Sequence, residues 1–307
     1  MITIIVKNQR KEPDLLKKLI YLDARTTLRE SDRRLLWNLE KGYTGEEQFD
    51  TLLAKHLTND ALILNDLLLK TSGSTFQIDT LVISGGTIHL YEIKNYSGDY
   101  ILTNEGLSTV SGKVIRNPTI QLARTKQNLT NLIRETHFKH KIEAHVVFIH
   151  PTFTLYNAST TDSFIFPTQI ETHLIKINDQ LKMPSQKDRQ LAEKLVDGQE
   201  TQNQHEQTTP EYPYELLEKG VVCPHCNTLS LSSGLRMKSC LTCGHKVPLE
   251  SAILESVRQY QVLFPEGKVT TNQIDDWCGK QTSTKSIRKV LETHFTMVGT
   301  NKLKEYI

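Results

Sequence analysis

The chain has 307 residues, 37% of them hydrophobic and 7% aromatic, and a formal net charge of +2 at pH 7. That length allows two or three domains with their own cores, and so even a charge balance requires any attraction for nucleic acid to be concentrated locally. No apolar run approaches the ~20 residues that span a bilayer, and the start Met1-Ile-Thr-Ile-Ile-Val-Lys7 lacks a signal peptide's basic leader and cleavage site, so a cytoplasmic protein without a membrane partner is expected.

Residues 1–41 read as an extended start followed by charged helical segments. Pro13-Asp14 suits the first turn of one helix. Ser31-Asp32 opens another that runs to Glu40, with Leu35, Leu36 and Leu39 as its apolar stripe. Gly42-Tyr-Thr-Gly45-Glu46 opens a further helix whose inner face is Phe49, Leu52, Leu53 and Leu57. Thr44 suits its N-cap, and Glu47 completes a capping box. On local grounds Glu46 is a favourable charge at a helix start. Ala61 to Leu69 reads as a strand.

Two runs of β-branched and aliphatic residues then flank Gly85-Gly86, the signal of a tight two-residue turn. That turn sets Ile83 opposite Ile88, Leu81 opposite Leu90 and Asp79 opposite Glu92. Strand alternation places Asp79, Glu92 and Lys94 on one face. Facing carboxylates repel; a divalent cation between them removes the penalty and a nearby ammonium reduces it. The pattern therefore points to hard oxygen ligands beside a cation, as metal-assisted phosphodiester hydrolysis requires. Charge decoration of an exposed strand is the competing reading. Against it, Leu81, Ile83, Ile88 and Leu90 share the carboxylate face, while Tyr91 and Ile93 line the other. Both faces are then expected to be covered, and buried carboxylates need a partner.

Ser97-Gly98 ends this strand, and a polar meander with Gly106 and Gly112 follows, carrying Lys113 and Arg116 and few acids. Pro118 opens a helix to about Glu135 with Leu122, Leu129, Leu132 and Ile133 as its buried stripe. Gln121, Arg124 and Asn128 lie on another side, where a glutamine is ordinarily solvent-exposed. Ala144 to His150 reads as a buried strand, with His145 and His150 in it or at its end. Residues 151 to about 180 form an irregular closing edge. Ser185 to Pro213 is polar, compatible with a short helix from Lys187 to Val196 and otherwise a linker by composition.

Cys223-Pro-His-Cys226 and Cys240-Leu-Thr-Cys243 form two Cys-x-x-Cys pairs. Four thiolates in two such knuckles suit tetrahedral Zn2+ in a closed, structural site and fit a reducing compartment. A redox dithiol fits less well, since no thioredoxin-like βαβ pattern surrounds the pairs. His225 and His245 are alternative ligands. Arg236, Lys238 and Lys246 add modest positive charge. After a helix from Ser251 to Phe264, Thr271–Cys278 and Thr282–Leu291 read as a helix-turn-helix followed by a two-strand wing. Ser283, Lys285, Ser286 and Lys289 would lie on the exposed face of its second helix. A packing module without DNA contact is the other reading of this tail. Cys278 stands alone and reads as a buried thiol. No phosphate loop, dinucleotide fingerprint or nucleophile elbow occurs.

Ile78-Asp79 and Tyr91-Glu92-Ile93-Lys94-Asn95-Tyr96, with Gly42–Glu46 upstream and Asn117-Pro118-Thr-Ile-Gln121-Leu122 downstream, resemble the motifs of the nuclease-related domain, NERD. That family is a branch of the PD-(D/E)xK restriction-endonuclease-like superfamily. The resemblance implies an α/β fold: a restriction-endonuclease-like core with a mixed sheet flanked by helices. It also implies Mg2+ (or Mn2+) bound by Asp79 and Glu92 with the Ile93 carbonyl as a further ligand. Lys94 would act beside the metal, Glu46 as an additional acidic group, and Gln121 from a helix facing the catalytic strand. Some related nucleases carry Gln-x-x-x-Tyr where this chain has Gln121-x-x-x-Thr125, so a tyrosine's role does not transfer. The expected organisation is an N-terminal helical extension (1–41), the nuclease-like domain (42–180), a linker (181–218), a zinc ribbon (219–250) and a C-terminal winged-helix-like module (251–307). Two readings of function stand. One is a metal-dependent nuclease, with DNA as the expected substrate. The other is a non-catalytic nucleic-acid-binding or regulatory protein built on the same fold and ribbon.

Overall fold

The computed structural model describes residues 4–71, 74–103, 106–135, 138–160, 162–200, 210–232, 234, 236–299 and 304–307. Its elements are β1 (Ile4–Asn8), α1 (Asp14–Asp23), α2 (Glu30–His56), β2 (Ala61–Thr71), β3 (Ser74–Ser84), β4 (Thr87–Lys94), β5 (Gly98–Thr103), β6 (Gly106–Thr109), β7 (Val114–Ile115) and α3 (Pro118–Glu135). They continue with β8 (Lys141–Phe148), β9 (Phe153–Tyr156), β10 (Phe164–Ile165), α4 (Ile170–Gln180), α5 (Gln186–Asp197), β11 (Met237–Ser239), β12 (Lys246–Pro248), α6 (Leu249–Leu263), α7 (Thr271–Trp277), α8 (Thr284–His294), β13 (Met297–Val298) and β14 (Glu305–Tyr306). The chain divides into two compact units. The first comprises Met1–Lys11 and Leu39–Glu206, the second Glu12–Asn38 and Gln207–Ile307. No helix among the described residues is long and apolar enough to cross a membrane.

The first unit is a mixed α/β fold around a sheet of order β1-β2-β3-β4-β8-β10. The hairpin β3–β4 turns at Gly85 and Gly86, which hold φ of 56° and 79°, values that glycine adopts without a steric penalty. Its register sets Thr80 opposite Tyr91, Leu81 opposite Leu90 and Ile83 opposite Ile88. β4 then pairs in parallel with β8, Glu92 beside Val146 and Lys94 beside Phe148. One face, with Leu81, Ile83, Ile88, Leu90 and Val146, is covered by Leu122, Leu129 and Ile133 of α3 and by Leu191, Ala192 and Leu195 of α5. The other, with Val82, Tyr91, Ile93 and Val147, is covered by Phe49, Leu53 and Leu57 of α2 and by Ile170, Leu174 and Ile177 of α4. Burial on both sides explains why the strands read as nearly continuous apolar runs.

Alternation slips at one level of the sheet. The α3 face takes Phe76 and Ile78 and then Leu81 and Ile83 along β3, and Leu69 and Leu67 and then Leu64 and Leu62 along β2. Asn65 pairs with Thr80 and Leu67 with Ile78, so Asp66 lies across from Asp79 at the slip. Asp66 has a left-handed φ of 50°. An irregularity of this kind re-aims side chains and recurs next to functional sites.

One expectation is corrected. Gly42–Gly45 does not open a helix: α2 is continuous from Glu30 to His56, so Thr44 is no N-cap and Glu47 closes no capping box. Gly45 serves close packing instead, since a Cβ there would lie 2.6 Å from the Asn95 Cβ and 3.1 Å from an Ile149 methyl. The short helix read from Lys187 to Val196 is present as α5, packed against the sheet. Ser185 and Asp188 cap α5 reciprocally, and Asp188 accepts hydrogen bonds from His140 and from the Gly86 N–H at the central turn. α5 is thus fixed to the hairpin that organises the sheet.

In the second unit, α1 contributes buried Leu16, Leu19 and Leu22, and α6 contributes Ala252, Ile253, Val257 and Tyr260. Trp277 is wholly buried; its indole N–H donates to the Ser256 carbonyl and the Arg25 guanidinium lies 3.7 Å over its ring. α7 and α8 form a helix-turn-helix, and β13 pairs with β14 as a small wing. Lys285 and Lys289 are exposed on α8.

The two helical glycines should respond oppositely to alanine. Gly42 has nothing within 4 Å of a Cβ position, so Gly42→Ala should stabilise by about 0.5–1 kcal/mol through lost unfolded-state entropy. Gly45→Ala should destabilise by about 1–3 kcal/mol through overpacking. Urea denaturation of both variants checks the pair; equal effects would rule out the close approach as the reason for Gly45.

Candidate active site and metal centre

The alternation slip leaves the Asp79 carboxylate reaching across to β4, where the Ile93 N–H donates to its Oδ2 at 2.8 Å. Glu92, 2% exposed, accepts from Lys94 Nζ at 2.6 Å. Lys94 also donates to Gln121 Oε1 on α3 at 3.3 Å. Asp79, Glu92, Lys94 and Gln121, far apart in sequence, are therefore brought to one place. Gln121 faces the strand rather than solvent because Leu122, Leu129 and Ile133 turn α3 onto this side of the sheet.

Burial and like charge shape the electrostatics. Burial pushes the Glu92 carboxyl up to about 7, with Asp79 adding to the rise and Lys94 opposing it. Burial also raises Asp79, against the pull of Lys94, the Ile93 N–H and Arg10. For Lys94, burial favours loss of the proton, but Glu92 and Asp79 outweigh it and the amine is held above its ordinary value. Two acids whose ionisation is disfavoured, next to an amine whose charge is favoured, mark a site short of positive charge.

Glu46 is placed differently. It stands on α2, against the opposite face of the sheet, and accepts from Arg10 at 2.5 Å. Arg10 also donates to Asp50 Oδ2 at 2.8 Å, to the Asp79 carbonyl at 3.0 Å and to the Thr80 hydroxyl at 3.1 Å. Burial and the Asp79 charge push Glu46 up to about 8, with Arg10 opposing. Among the described residues, the carboxylates of Glu46, Asp79 and Glu92 do not form a set with all ligand oxygens within 4.8 Å of one another. Glu46 thus approaches Asp79 from behind, through Arg10, rather than joining the two acids as a third ligand. Sequence reasoning missed Arg10, whose side chain is only 3% exposed: it lies in an ordinary charged stretch, and only the fold brings it to Asp79. His145 packs on the face away from Glu92, its ring 6.2 Å from Tyr91 and 5.0 Å from His173.

In the second unit, Cys223, Cys226, Cys240 and Cys243 bring their sulfurs within 4.8 Å of one another. The Cys223–Cys243 and Cys226–Cys240 separations are 3.9 and 3.5 Å. A tetrahedron with Zn–S of ~2.3 Å needs sulfurs ~3.8 Å apart, so the donor set fits zinc. The two knuckles match. Asn227 and Gly244, each following its second cysteine, hold φ of 57° and 70°, and their N–H groups donate to the Cys223 and Cys240 carbonyls. β11 and β12 pair beside them. His225 and His245 stack on each other with ring centres 4.0 Å apart and do not belong to this ligand set.

Residues 41–149 match the family NERD, Nuclease-related domain. Among solved structures, protein VC1899 from Vibrio cholerae matches with 12% identity and a TM-score of 0.26, over 54% of this chain and 42% of that one. No curated protein matches the chain.

Removing Arg10 leaves Glu46 and Asp50 without their shared cation. Arg10→Ala should cost about 2–4 kcal/mol in urea denaturation, and Arg10→Lys should recover only part, because an ammonium cannot reproduce the forked contacts. A loss near zero would show that the network contributes nothing. For the cysteines, elemental analysis should find about one zinc ion per chain, and Cys226→Ser or Cys243→Ser should bring it close to none. Zinc retained in both variants would exclude the four-sulfur site.

Proposed function

We propose that the chain is a metal-dependent nuclease that hydrolyses phosphodiester bonds in nucleic acid, DNA being the expected substrate. One observation carries this reading: the Lys94 amine is fixed 2.6 Å from Glu92 and 3.3 Å from Gln121, and the Asp79 carboxylate reaches the same stretch of strand through the Ile93 N–H. The match of residues 41–149 to a nuclease-related family supports it.

Asp79 and Glu92 offer the hard oxygens that Mg2+ or Mn2+ prefers, and the Ile93 carbonyl is proposed as a further ligand. The bound ion would lower the pKa of a water and neutralise the attacked phosphate. The rest falls to the protein's own groups. Ile93 N–H orients the Asp79 carboxylate. Glu92 and Gln121 hold the Lys94 ammonium where it can donate to charge developing on a phosphate oxygen. Gln121 has its Nε2 amide group left to donate to water or phosphate. Glu46 stands behind Asp79, held by Arg10.

The second reading, nucleic-acid binding without cleavage, is favoured by one feature: Glu46 is committed to Arg10 rather than joined to the other two acids. Plasmid nicking separates the readings. Because a cation must displace the proton that Glu92 holds up to about 7, the Mg2+ or Mn2+ concentration needed for half-maximal cleavage by the unmodified chain should fall as pH rises through that value. Asp79→Ala and Glu92→Ala should each reduce cleavage at least ~100-fold with circular dichroism and zinc content unchanged. Cleavage surviving both substitutions would falsify the assignment, and binding by the unmodified chain without nicking would establish the second reading.

A further inference from the structure

Between Gly106 and Arg134 the chain has no aspartate or glutamate, yet it carries Lys113, Arg116, Arg124, Lys126 and Arg134. In a protein with 37 basic and 35 acidic residues, this is a local excess of one sign. The segment folds as β6, β7 and α3, and α3 supplies the site's Gln121. Asn117 accepts from the Thr119 N–H at 3.0 Å to start that helix; Gln121 follows one turn later.

Lys113, Arg116 and Arg124 are all exposed, and none takes part in a salt bridge among the described residues. Lys55 and Lys141 of the same unit, by contrast, are paired with Glu171 and Glu143. Arg116 stands two residues before the helix start, close enough for its charge to act on Glu92. Val114 and Ile120, each 65% exposed, lie in the same stretch. Unpaired cations interspersed with exposed aliphatic side chains, bordering a buried acidic face, complement a polyanion that also presents apolar surfaces.

We propose that β7 and the first turns of α3 form the surface on which a nucleic-acid strand docks, with Lys113, Arg116 and Arg124 contacting its phosphates. This rests on the nuclease reading for its purpose, but the docking itself is measurable without catalysis. Each phosphate neutralised releases bound counterions, so losing three contacts should flatten the dependence of log K on log salt by about 2–3.

The test is fluorescence anisotropy of labelled single-stranded and duplex DNA with the full-length protein in buffer without added divalent cation, where cleavage does not interfere. The variant combining Lys113→Glu, Arg116→Glu and Arg124→Glu should bind at least ~10-fold more weakly at about 0.1 M salt, with the flattened slope. A control combining Lys70→Glu, Lys176→Glu and Lys187→Glu makes the same change in net charge on exposed sites of the same unit and should shift affinity less than about twofold. Thermal melting establishes that both variants are folded. Equal losses in the two variants, no loss in the first, or no binding by the unmodified chain would overturn the proposal. Binding lost only in the first variant, from a chain that never nicks DNA, would uphold the docking surface and defeat the nuclease reading alone.

Discussion

Two carboxylates held out of water on adjacent strands dominate the first unit. Asp79 and Glu92 are 8% and 2% exposed, burial raises both, and the Asp79 charge makes Glu92 harder still to ionise. Much of the nearby polar structure answers that repulsion. Lys94 holds Glu92, the Ile93 N–H holds Asp79, and Arg10 approaches from the opposite side of the sheet through the Asp79 carbonyl. These contacts reduce the penalty without removing it, and Glu92 still titrates near neutrality. A site arranged in this way has capacity left for one more cation, which is the physical basis for reading it as a metal-dependent centre.

The slip at Asp66 and Asp79 makes the arrangement possible. A strictly alternating strand would assign Phe76, Ile78 and Asp79 to faces fixed by parity alone, whereas the slip lets apolar residues on both sides of Asp79 keep the same core. The two helices that flank this level then contribute different things. α3 brings Gln121 to the amine, while α2 brings Glu46 to the back of the strand, where it is matched by Arg10 rather than shared with Glu92.

Local chemistry made the central hairpin legible. Gly85-Gly86 and alternating aliphatic residues fix turn, register and faces within a short stretch, and the cysteine spacing fixes the two knuckles in the same way. What sequence did not reveal depends on contacts between distant segments. Gly45 resembles a helix opener until Asn95 is seen packed against it. The polar composition after Ser185 suggests a linker, because the partners of Asp188 lie at His140 and Gly86. Arg10 carries no local signal, since its carboxylate partners arrive from α2 and its carbonyl partner from β3.

The parallel pairing of β1 with β2 also bears on how the molecule assembles. β3 and β4 join through a tight turn and need close only a minimal loop, whereas Arg10 and Asp79 are separated by 69 positions along the chain. Encounters over such separations pay a greater chain-closure cost and come later than hairpin zippering. The acidic pair is thus joined by a local hairpin, whereas its counter-charge from behind depends on a segment beside the sheet's outermost strand, so the electrostatic balance of the buried acids is tied to an edge remote from them in sequence.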